Sequence, residues 1–157
     1  MACPRCDEPR IGPFCEQCGH SYSNTGFSWR AVIAHDRDYF EARGEHIGRF
    51  TFPASTSPWS VQLMGASVLI GRRSAARGIT PDIDLANPPA DPGVSREHAR
   101  LLALPDGSWA LIDEGSMNGT YFNGDVKPIP AHQQVRLADG DRIHLGVWTT
   151  ITMHRNA

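Results

Sequence analysis

Long apolar runs are missing from this 157-residue chain. No stretch approaches the roughly 20 consecutive apolar residues that a membrane-spanning helix needs, so we expect no membrane association. The N-terminal segment is polar where a secretory signal would need an apolar stretch. The sequence therefore predicts a soluble, cytoplasmic protein, and 40% hydrophobic residues are enough to build a sizeable core.

Lysine is almost absent as well, since Lys127 is the only one and arginine supplies the remaining side-chain positive charge. The formal net charge is −2, whereas general nucleic-acid binders are basic, so nucleic acid is not a favoured partner. Any anion site must therefore be built locally. Arginines do cluster in two places, at Arg72, Arg73 and Arg77 and at Arg96 and Arg100. This arginine bias is typical of a bacterium with a GC-rich genome.

Cysteine is confined to two C-x-x-C pairs, Cys3-Pro4-Arg5-Cys6 and Cys15-Glu16-Gln17-Cys18. Close cysteine pairs in a cytoplasmic protein favour metal binding over disulfides. Four thiolates complete a tetrahedral shell around Zn²⁺, with Zn–S distances of about 2.3 Å, and leave no open position. We therefore predict a structural zinc site at Cys3, Cys6, Cys15 and Cys18, in a segment too short to fold without its metal.

The cysteine segment resembles the short zinc ribbons of bacterial regulatory proteins. Gly19 permits a tight turn after the second pair, whereas Asp7 stands where those ribbons commonly have glycine after the first. We expect Phe14 to cover the metal. His20 is an alternative ligand, but the four cysteines already form a complete set.

Three segments are predicted along the chain: a zinc ribbon over residues 1–20, a linker over 21–27 and an all-β domain over 28–157. Short apolar runs that end at turn residues favour a sandwich or barrel. Strands are predicted at 29–34, 59–63, 68–71, 99–103, 109–113, 134–137, 142–145 and 149–154. Hairpin turns are predicted at 105–107 and 138–141. Residues 36–43 fit either a helical turn or a strand, and 74–94 fit a long functional loop.

Polar groups recur where predicted strands end. Gly71-Arg72 closes one strand, and an arginine fork fits two phosphate oxygens. Ser95 precedes His98 on a loop that runs into a strand and offers a hydroxyl donor. Asn118-Gly119 lies in a glycine-rich turn, where the amide can hold a peptide backbone and Gly119 permits a positive φ. Each pattern is common by itself, but the combination and order are not.

Together these residues resemble the forkhead-associated (FHA) domain family. The family's Gly-Arg, Ser-x-x-His, Ser-x-Asn-Gly-Thr and Asn-Gly stand here as Gly71-Arg72, Ser95 to His98, Ser116 to Thr120 and Asn123-Gly124. The resemblance is close over about residues 60–154. It implies a β-sandwich of about eleven strands whose loops at one end bind phosphothreonine peptides. It also implies that the protein is an adaptor that acts with Ser/Thr kinases.

The resemblance also implies a role for each matching residue. Arg72 and Ser95 hold the phosphate, Arg96 helps, and Asn118 binds the peptide backbone. Gly71, His98 and Gly119 support the site, and Asn123-Gly124 makes a hairpin without touching the ligand. Met117 departs from the family's frequent threonine, and a thioether cannot donate a hydrogen bond. Phosphate binding then depends more on the arginines and Ser95, or uses the backbone N–H of Met117.

Two other classes of function are alternatives to a phosphopeptide adaptor. A hydrolase using Ser95 and His98 is disfavoured, because the sequence has no nucleophile elbow, paired carboxylates or open metal site. We therefore expect a protein that is not an enzyme. A regulator that binds nucleic acid through the ribbon, with the FHA domain as an accessory, is the alternative. Phosphorylation of Ser21, Ser23 or Thr25 in the linker could also block the site from within.

Overall fold

The computed structural model describes residues 2–3, 5–9, 11–12, 14–19, 28–43, 49–54 and 57–156. The predicted linker at 21–27, the alternative ligand His20 and the linker hydroxyls lie outside the described residues. Within the described part, no helix is long and apolar enough to cross a membrane.

The described residues form ten strands, one α-helix and one short 3₁₀ turn. Their bounds are β1 Ser28–His35, α1 Arg37–Ala42, β2 Trp59–Gln62, β3 Ser67–Gly71, the 3₁₀ turn Ala75–Arg77, β4 Ile83–Asp84, β5 Glu97–Ala103, β6 Trp109–Asp113, β7 Thr120–Phe122, β8 Val135–Arg136, β9 Arg142–Leu145 and β10 Thr149–Asn156. The predicted all-β fold is thus confirmed, with ten strands in the described residues rather than about eleven.

Two five-stranded sheets make up the sandwich, in the orders β2-β1-β10-β9-β7 and β4-β3-β5-β6-β8. Their inner faces meet in a core of fully buried side chains that includes Ile33, Ile70, Leu101, Leu111 and Ile151. Alternate residues along each strand point inward, and burying one such aliphatic side chain stabilises the fold by about 1.5–3 kcal/mol.

All eight predicted strands are present, with ends shifted by up to two residues. The two unpredicted strands are β4 and β7, of two and three residues. Strand β4 pairs in parallel with the end of β3, through Ile70 with Ile83 and Gly71 with Asp84. Such short pairings depend on contacts distant in sequence, so local patterns do not reveal them.

Residues 36–43 take the helical alternative. Asp36 caps α1, because its Oδ1 accepts a hydrogen bond from the Tyr39 N–H at 3.1 Å. Asp36 Oδ2 also binds the guanidinium of Arg142 at 2.7 Å and the hydroxyl of Thr150 at 2.8 Å. This one carboxylate therefore ties the start of α1 to β9 and β10.

The predicted turns have mixed outcomes. Pro105-Asp106-Gly107 does join the antiparallel pair β5 and β6. The prediction of a hairpin at 138–141 is wrong, because β8 and β9 belong to different sheets and the turn crosses between them. At Asn123-Gly124 both residues have positive φ and the chain does fold back, since the Asp125 N–H donates to the Phe122 carbonyl at 3.0 Å and the Ile129 N–H to the Thr120 carbonyl at 2.8 Å. The returning segment forms no strand, and the next strand, β8, lies in the other sheet.

One end of the sandwich collects the strand ends that carry polar side chains. Here β3 ends at Gly71 opposite Glu97, and β6 ends at Asp113 opposite Ala99. The Thr120 hydroxyl at the start of β7 donates to Asp113 Oδ1 at 2.7 Å, which brings the second sheet to the same place. We call this the loop end.

Candidate functional site

Ser95 is held at the loop end by two hydrogen bonds. Its backbone N–H donates to Nδ1 of His98 at 3.0 Å, and its Oγ accepts from the backbone N–H of Met117 at 3.1 Å. Since Nδ1 accepts, the ring proton lies on Nε2, which donates to the Gly119 carbonyl at 3.0 Å. His98 thus joins the Ser95 loop to the Asn118 loop through its two ring nitrogens.

His98 is fully buried in this arrangement. Burial lowers the pKa of its imidazole, and this outweighs the opposing effects of the bond to Gly119 and of the nearby carboxylates of Asp113 and Asp91. The neutral ring is also the form that the geometry needs, because protonated Nδ1 could not accept the Ser95 N–H.

Arg72 leaves the end of β3 beside this loop. Its backbone N–H donates to the Arg96 carbonyl at 3.1 Å. A Cβ added to the preceding Gly71 would lie 1.8 Å from the same carbonyl oxygen, so only glycine fits there. Gly71 therefore acts through close backbone approach. The half-buried Arg72 keeps a buried Nε with no hydrogen-bond partner among the described residues.

The clustered arginines divide into two groups. Arg73 is bound by Asp84 at 2.9 Å and by Asn87 at 2.7 Å, and Arg100 is bound by Glu114 at 3.4 Å. Burial tends to raise the pKa of Asp84, but hydrogen bonds from Ala86 and Arg73 lower it overall. Within the described residues, Arg72, Arg77 and Arg96 form no such ion pair. Positive charge at the loop end thus remains available to an anion.

Asn118 and Met117 lie on the facing loop. The Asn118 amide donates to the Gly93 carbonyl at 2.9 Å, which leaves its Oδ1 as an acceptor. Gly119 has φ of +83°, as predicted from the sequence. The Met117 side chain is 90% exposed, while its N–H is engaged by Ser95. The structure therefore brings together Arg72, Ser95, Arg96, Met117 and Asn118 at the loop end.

Asp113 is a supporting carboxylate that the sequence analysis missed. It is 3% exposed and accepts bonds from the Gly115 and Ser116 N–H groups and from the Ser116 and Thr120 hydroxyls. Burial tends to raise its pKa, but these hydrogen bonds hold the pKa below the usual value. Asp113 shapes the loop that presents Asn118.

Asp91 does the same for the other loop. It is 1% exposed and accepts the N–H groups of Gly93 at 2.9 Å, Val147 at 2.8 Å and Trp148 at 3.2 Å, and the Thr149 hydroxyl at 2.7 Å. Both aspartates precede a glycine by two residues, in Asp91-Pro92-Gly93 and Asp113-Glu114-Gly115. This Asp-x-Gly spacing is a known signal for a side chain that bonds the backbone two residues on.

The serine and histidine do not form a nucleophile and base. Both ring nitrogens of His98 bind backbone groups, and the Ser95 hydroxyl is bound to a backbone N–H. A hydrolytic pair needs a hydrogen bond from the hydroxyl to the base, and the ring is committed elsewhere.

The four cysteine sulfurs form a cluster in which all atoms lie within 4.8 Å of one another. Cys3 and Cys18 sulfurs are 3.7 Å apart, and Cys6 and Cys15 sulfurs are 3.3 Å apart. A tetrahedral ion with Zn–S bonds of about 2.3 Å would place sulfurs about 3.8 Å apart. The set is compatible with one metal ion.

The two cysteine pairs fold alike. The Asp7 N–H donates to the Cys3 carbonyl at 2.9 Å, and the Gly19 N–H donates to the Cys15 carbonyl at 2.8 Å. Both residues have positive φ, of 64° for Asp7 and 75° for Gly19. Asp7 thus occupies a backbone conformation that favours glycine.

Phe14 is placed differently from the prediction. Its ring packs 6.1 Å from the ring of Trp109, centroid to centroid, and joins the edge of the sandwich core. Trp109 begins β6, at the end opposite Asp113. Phe14 therefore packs on the sandwich and not on the cysteine sulfurs. Its contact with Trp109 attaches the cysteine segment to the sandwich, away from the loop end.

Comparison with known proteins assigns the sandwich to a family. The FHA domain model matches residues 68–146, just over half of the chain. An FHA domain-containing protein of Arabidopsis thaliana is 38% identical over 64 residues, which are 41% of this chain and 16% of that protein. The oxoglutarate dehydrogenase inhibitor of Corynebacterium diphtheriae is 37% identical over 82 residues, 52% of each chain.

A solved structure agrees with these relatives. A chain from a structural and functional study of phosphothreonine-dependent FHA domain interactions has 27% identity and a TM-score of 0.52, covering 82% of this chain and 98% of that chain. This chain belongs to the forkhead-associated domain family. It spans about half the length, or less, of the two curated relatives described above.

Proposed function

We propose that the protein is a phosphothreonine-peptide-binding adaptor that acts with Ser/Thr kinases. One observation carries the proposal, namely that the structure places a fixed serine hydroxyl next to the segment of Arg72. His98 and Met117 fix Ser95 by hydrogen bonds. The neighbouring Arg96 carbonyl accepts the Arg72 backbone N–H, and the Arg72 Nε is buried without a partner in the described residues. The site thus offers a fixed hydroxyl and a guanidinium, two groups that suit phosphate oxygens.

The phosphate is bound by Arg72, Ser95 and Arg96 in this proposal. A phosphothreonine carries about −1.5 to −2 charges at pH 7 and three acceptor oxygens. The Ser95 Oγ accepts from Met117, so its own proton is free to be donated. Asn118 Oδ1 accepts a backbone N–H of the peptide. Each charge-assisted bond contributes about 1.5–3 kcal/mol.

Partners are inferred from the relatives. One is an inhibitor of oxoglutarate dehydrogenase, and another comes from work on phosphothreonine-dependent interactions. These support a non-catalytic protein that docks on phosphorylated proteins. A cytoplasmic location and a Ser/Thr kinase among the partners are further parts of the proposal. The nucleic-acid alternative gains no support, since the cysteine segment carries Arg5 and Arg10 against Asp7, Glu8 and Glu16 and so has no excess of positive charge.

Arg72→Ala tests the phosphate assignment. Binding of a phosphothreonine peptide, measured by calorimetry, should weaken at least about 100-fold, because two charge-assisted bonds are lost. Arg136→Ala is the matched control: Arg136 pairs with Asp106 beside the β5–β6 turn, at the far end of the sandwich, and its removal should leave affinity unchanged. Equal losses in the two variants would refute the assignment, as would unaltered binding by Arg72→Ala.

We further propose that Cys3, Cys6, Cys15 and Cys18 hold a structural Zn²⁺. The equivalent turns at the two pairs and the short sulfur separations support this proposal. Elemental analysis of the purified protein should find about one zinc per chain, and Cys15→Ser should lose it. A zinc content unaffected by Cys15→Ser would contradict the site.

A further inference from the structure

Methionine supplies two exposed thioethers and one buried thioether in the described residues. Met117 is 90% exposed and Met64 is 66% exposed, whereas Met153 lies in the core and is 0% exposed. Peroxides oxidise a methionine thioether to the sulfoxide, and the reaction is fastest where the oxidant reaches the sulfur without opening the fold. Among the described methionines, Met117 is therefore the one most open to oxidation.

Met117 lies among the residues proposed to bind phosphate. Its backbone N–H donates to Ser95 Oγ at 3.1 Å, and the amide of the next residue, Asn118, donates to the Gly93 carbonyl at 2.9 Å. These bonds hold the backbone at position 117 against the Ser95 loop. The Met117 side chain branches from the carbon atom next to the nitrogen that contacts Ser95, so its thioether starts beside the proposed phosphate site.

The groups beside Met117 are hydrogen-bond donors. Ser95 Oγ accepts from Met117, so the hydroxyl proton is available, and the buried Arg72 Nε has no partner among the described residues. The exposed Arg96 follows Ser95 and forms no ion pair in the described part of the chain. In the proposed function these donors bind phosphate oxygens. A thioether is a weak acceptor and does not compete for them.

Oxidation turns this weak acceptor into a strong one. Hydrogen peroxide transfers an oxygen atom to the sulfur: the O–O bond breaks, an S–O bond forms, the sulfur loses an electron pair and the peroxide leaves as water. The sulfoxide is polar and carries partial negative charge on its oxygen. Because it has no proton to donate, it can pair with a hydroxyl or a guanidinium but not with a phosphate.

We propose that oxidation of Met117 to the sulfoxide weakens phosphothreonine binding, because the sulfoxide oxygen accepts hydrogen bonds from the donors that otherwise hold the phosphate. The inference rests on the proposed function and adds a redox regulation to the same site. The methionine side chain is unbranched and has three rotatable bonds, so its sulfur can turn toward Ser95 while the backbone stays in place. Ser95 has a single hydroxyl proton, so the sulfoxide and the phosphate compete for it.

The experiment compares the full chain before and after treatment with dilute hydrogen peroxide. Peptide mapping by mass spectrometry should find an added oxygen at Met117 first, at Met64 more slowly and at Met153 last. Calorimetry with a phosphothreonine peptide should then show about tenfold weaker binding, because the phosphate must displace one hydrogen bond of the sulfoxide. Methionine sulfoxide reductases for both epimers should restore the affinity.

Two leucine variants separate Met117 from the other oxidisable groups. Whatever its starting affinity, Met117→Leu should bind the peptide equally before and after peroxide, although all four cysteines are still present. Met64→Leu changes an exposed side chain between β2 and β3, away from the loop end, and should lose affinity after peroxide as the wild type does.

The inference is overturned if Met117 is oxidised and the affinity does not change, or if peroxide weakens Met117→Leu as much as the wild type. It is also overturned if Met64→Leu is the variant that resists peroxide, or if the reductases remove the added oxygen without restoring the affinity. Absence of phosphopeptide binding in the untreated wild type would instead refute the proposed function.

Discussion

The backbone N–H of Met117 donates a hydrogen bond to Oγ of Ser95 at 3.1 Å. The bond links the two loops that carry the proposed phosphate ligands. It leaves the Ser95 hydroxyl proton free to be donated, because in this bond the oxygen only accepts from Met117. The N–H at position 117 therefore orients the serine, and the exposed thioether above it contributes no donor of its own.

Replacing Met117 by threonine should tighten phosphopeptide binding about three- to tenfold. The side chain is 90% exposed, so the change is not expected to disturb packing, and the new hydroxyl adds one bond to a charged phosphate. Met117→Val is the matched control, since valine has the shape of threonine without the hydroxyl. Equal affinities of the threonine and valine variants would contradict this account.

His98 should stay neutral below the pH at which free histidine is half protonated. Burial lowers its pKa from the usual value of about 6.5, and Nδ1 must accept the Ser95 N–H. Because the unfolded chain then binds more protons than the folded chain, stability is full above about pH 6.5 and falls as pH decreases through that value. His35 and His144, whose pKa values burial also lowers, contribute to the same loss.

Nitrogen-detected NMR separates the protonation of His98 from that of His35 and His144. At pH 6 its Nδ1 should give the signal of an unprotonated acceptor and its Nε2 that of a protonated donor. Half-protonation of this ring at pH 6.5 or above would show that the bond from Ser95 to Nδ1 is not maintained in solution.

Asp7→Gly should stabilise the cysteine segment. Asp7 has φ of 64°, a conformation that costs a residue with a side chain about 1–2 kcal/mol. Gly19→Ala makes the reverse change at the equivalent turn, where φ is 75°, and should weaken the segment by a similar amount. Competition with a chelator measures both: zinc should be retained longer by the first variant and lost sooner by the second.

Phe14→Ala should lower the stability of the sandwich by about 1–2 kcal/mol, since the half-buried ring packs on Trp109. Zinc content should not change, because Phe14 covers the core edge and not the sulfurs. Ile11→Ala, at a side chain 66% exposed in the same segment, is the control for thermal unfolding. A loss of zinc with an unchanged midpoint in Phe14→Ala would restore the original expectation that Phe14 covers the metal.

The convergence of these loops can be read from the sequence, whereas two carboxylates that shape the loops cannot. Strand ends marked by Gly71-Arg72, Ser95 and Asn118-Gly119 do converge, because alternating apolar residues set the register of the flanking strands. Asp91 and Asp113 are not predicted as supports, although each accepts four hydrogen bonds from groups of these loops. Their Asp-x-Gly spacing was visible, but their burial depends on strands far away in the chain.

The turns were harder to predict for a related reason. A turn's residues determine its local geometry but not the sheet to which the next strand belongs. The chain crosses between sheets after Asp139-Gly140 and again after Asn123-Gly124. The sheet that a strand joins is determined by contacts with residues far away in the sequence, such as the pairing of β7 with β9 through Tyr121 and His144. The position of Phe14 also depends on a distant residue, because its ring buries apolar surface against Trp109.

Phosphate dependence of binding by the unaltered protein tests the central claim most directly. Calorimetry should compare one peptide in three forms, with threonine, phosphothreonine and phosphoserine at the same position. The account predicts measurable binding of the phosphothreonine form and at least about 100-fold weaker binding of the unmodified threonine form, since the phosphate supplies the charge for Arg72 and Ser95. Equal binding of the phosphorylated and unmodified threonine peptides would contradict it.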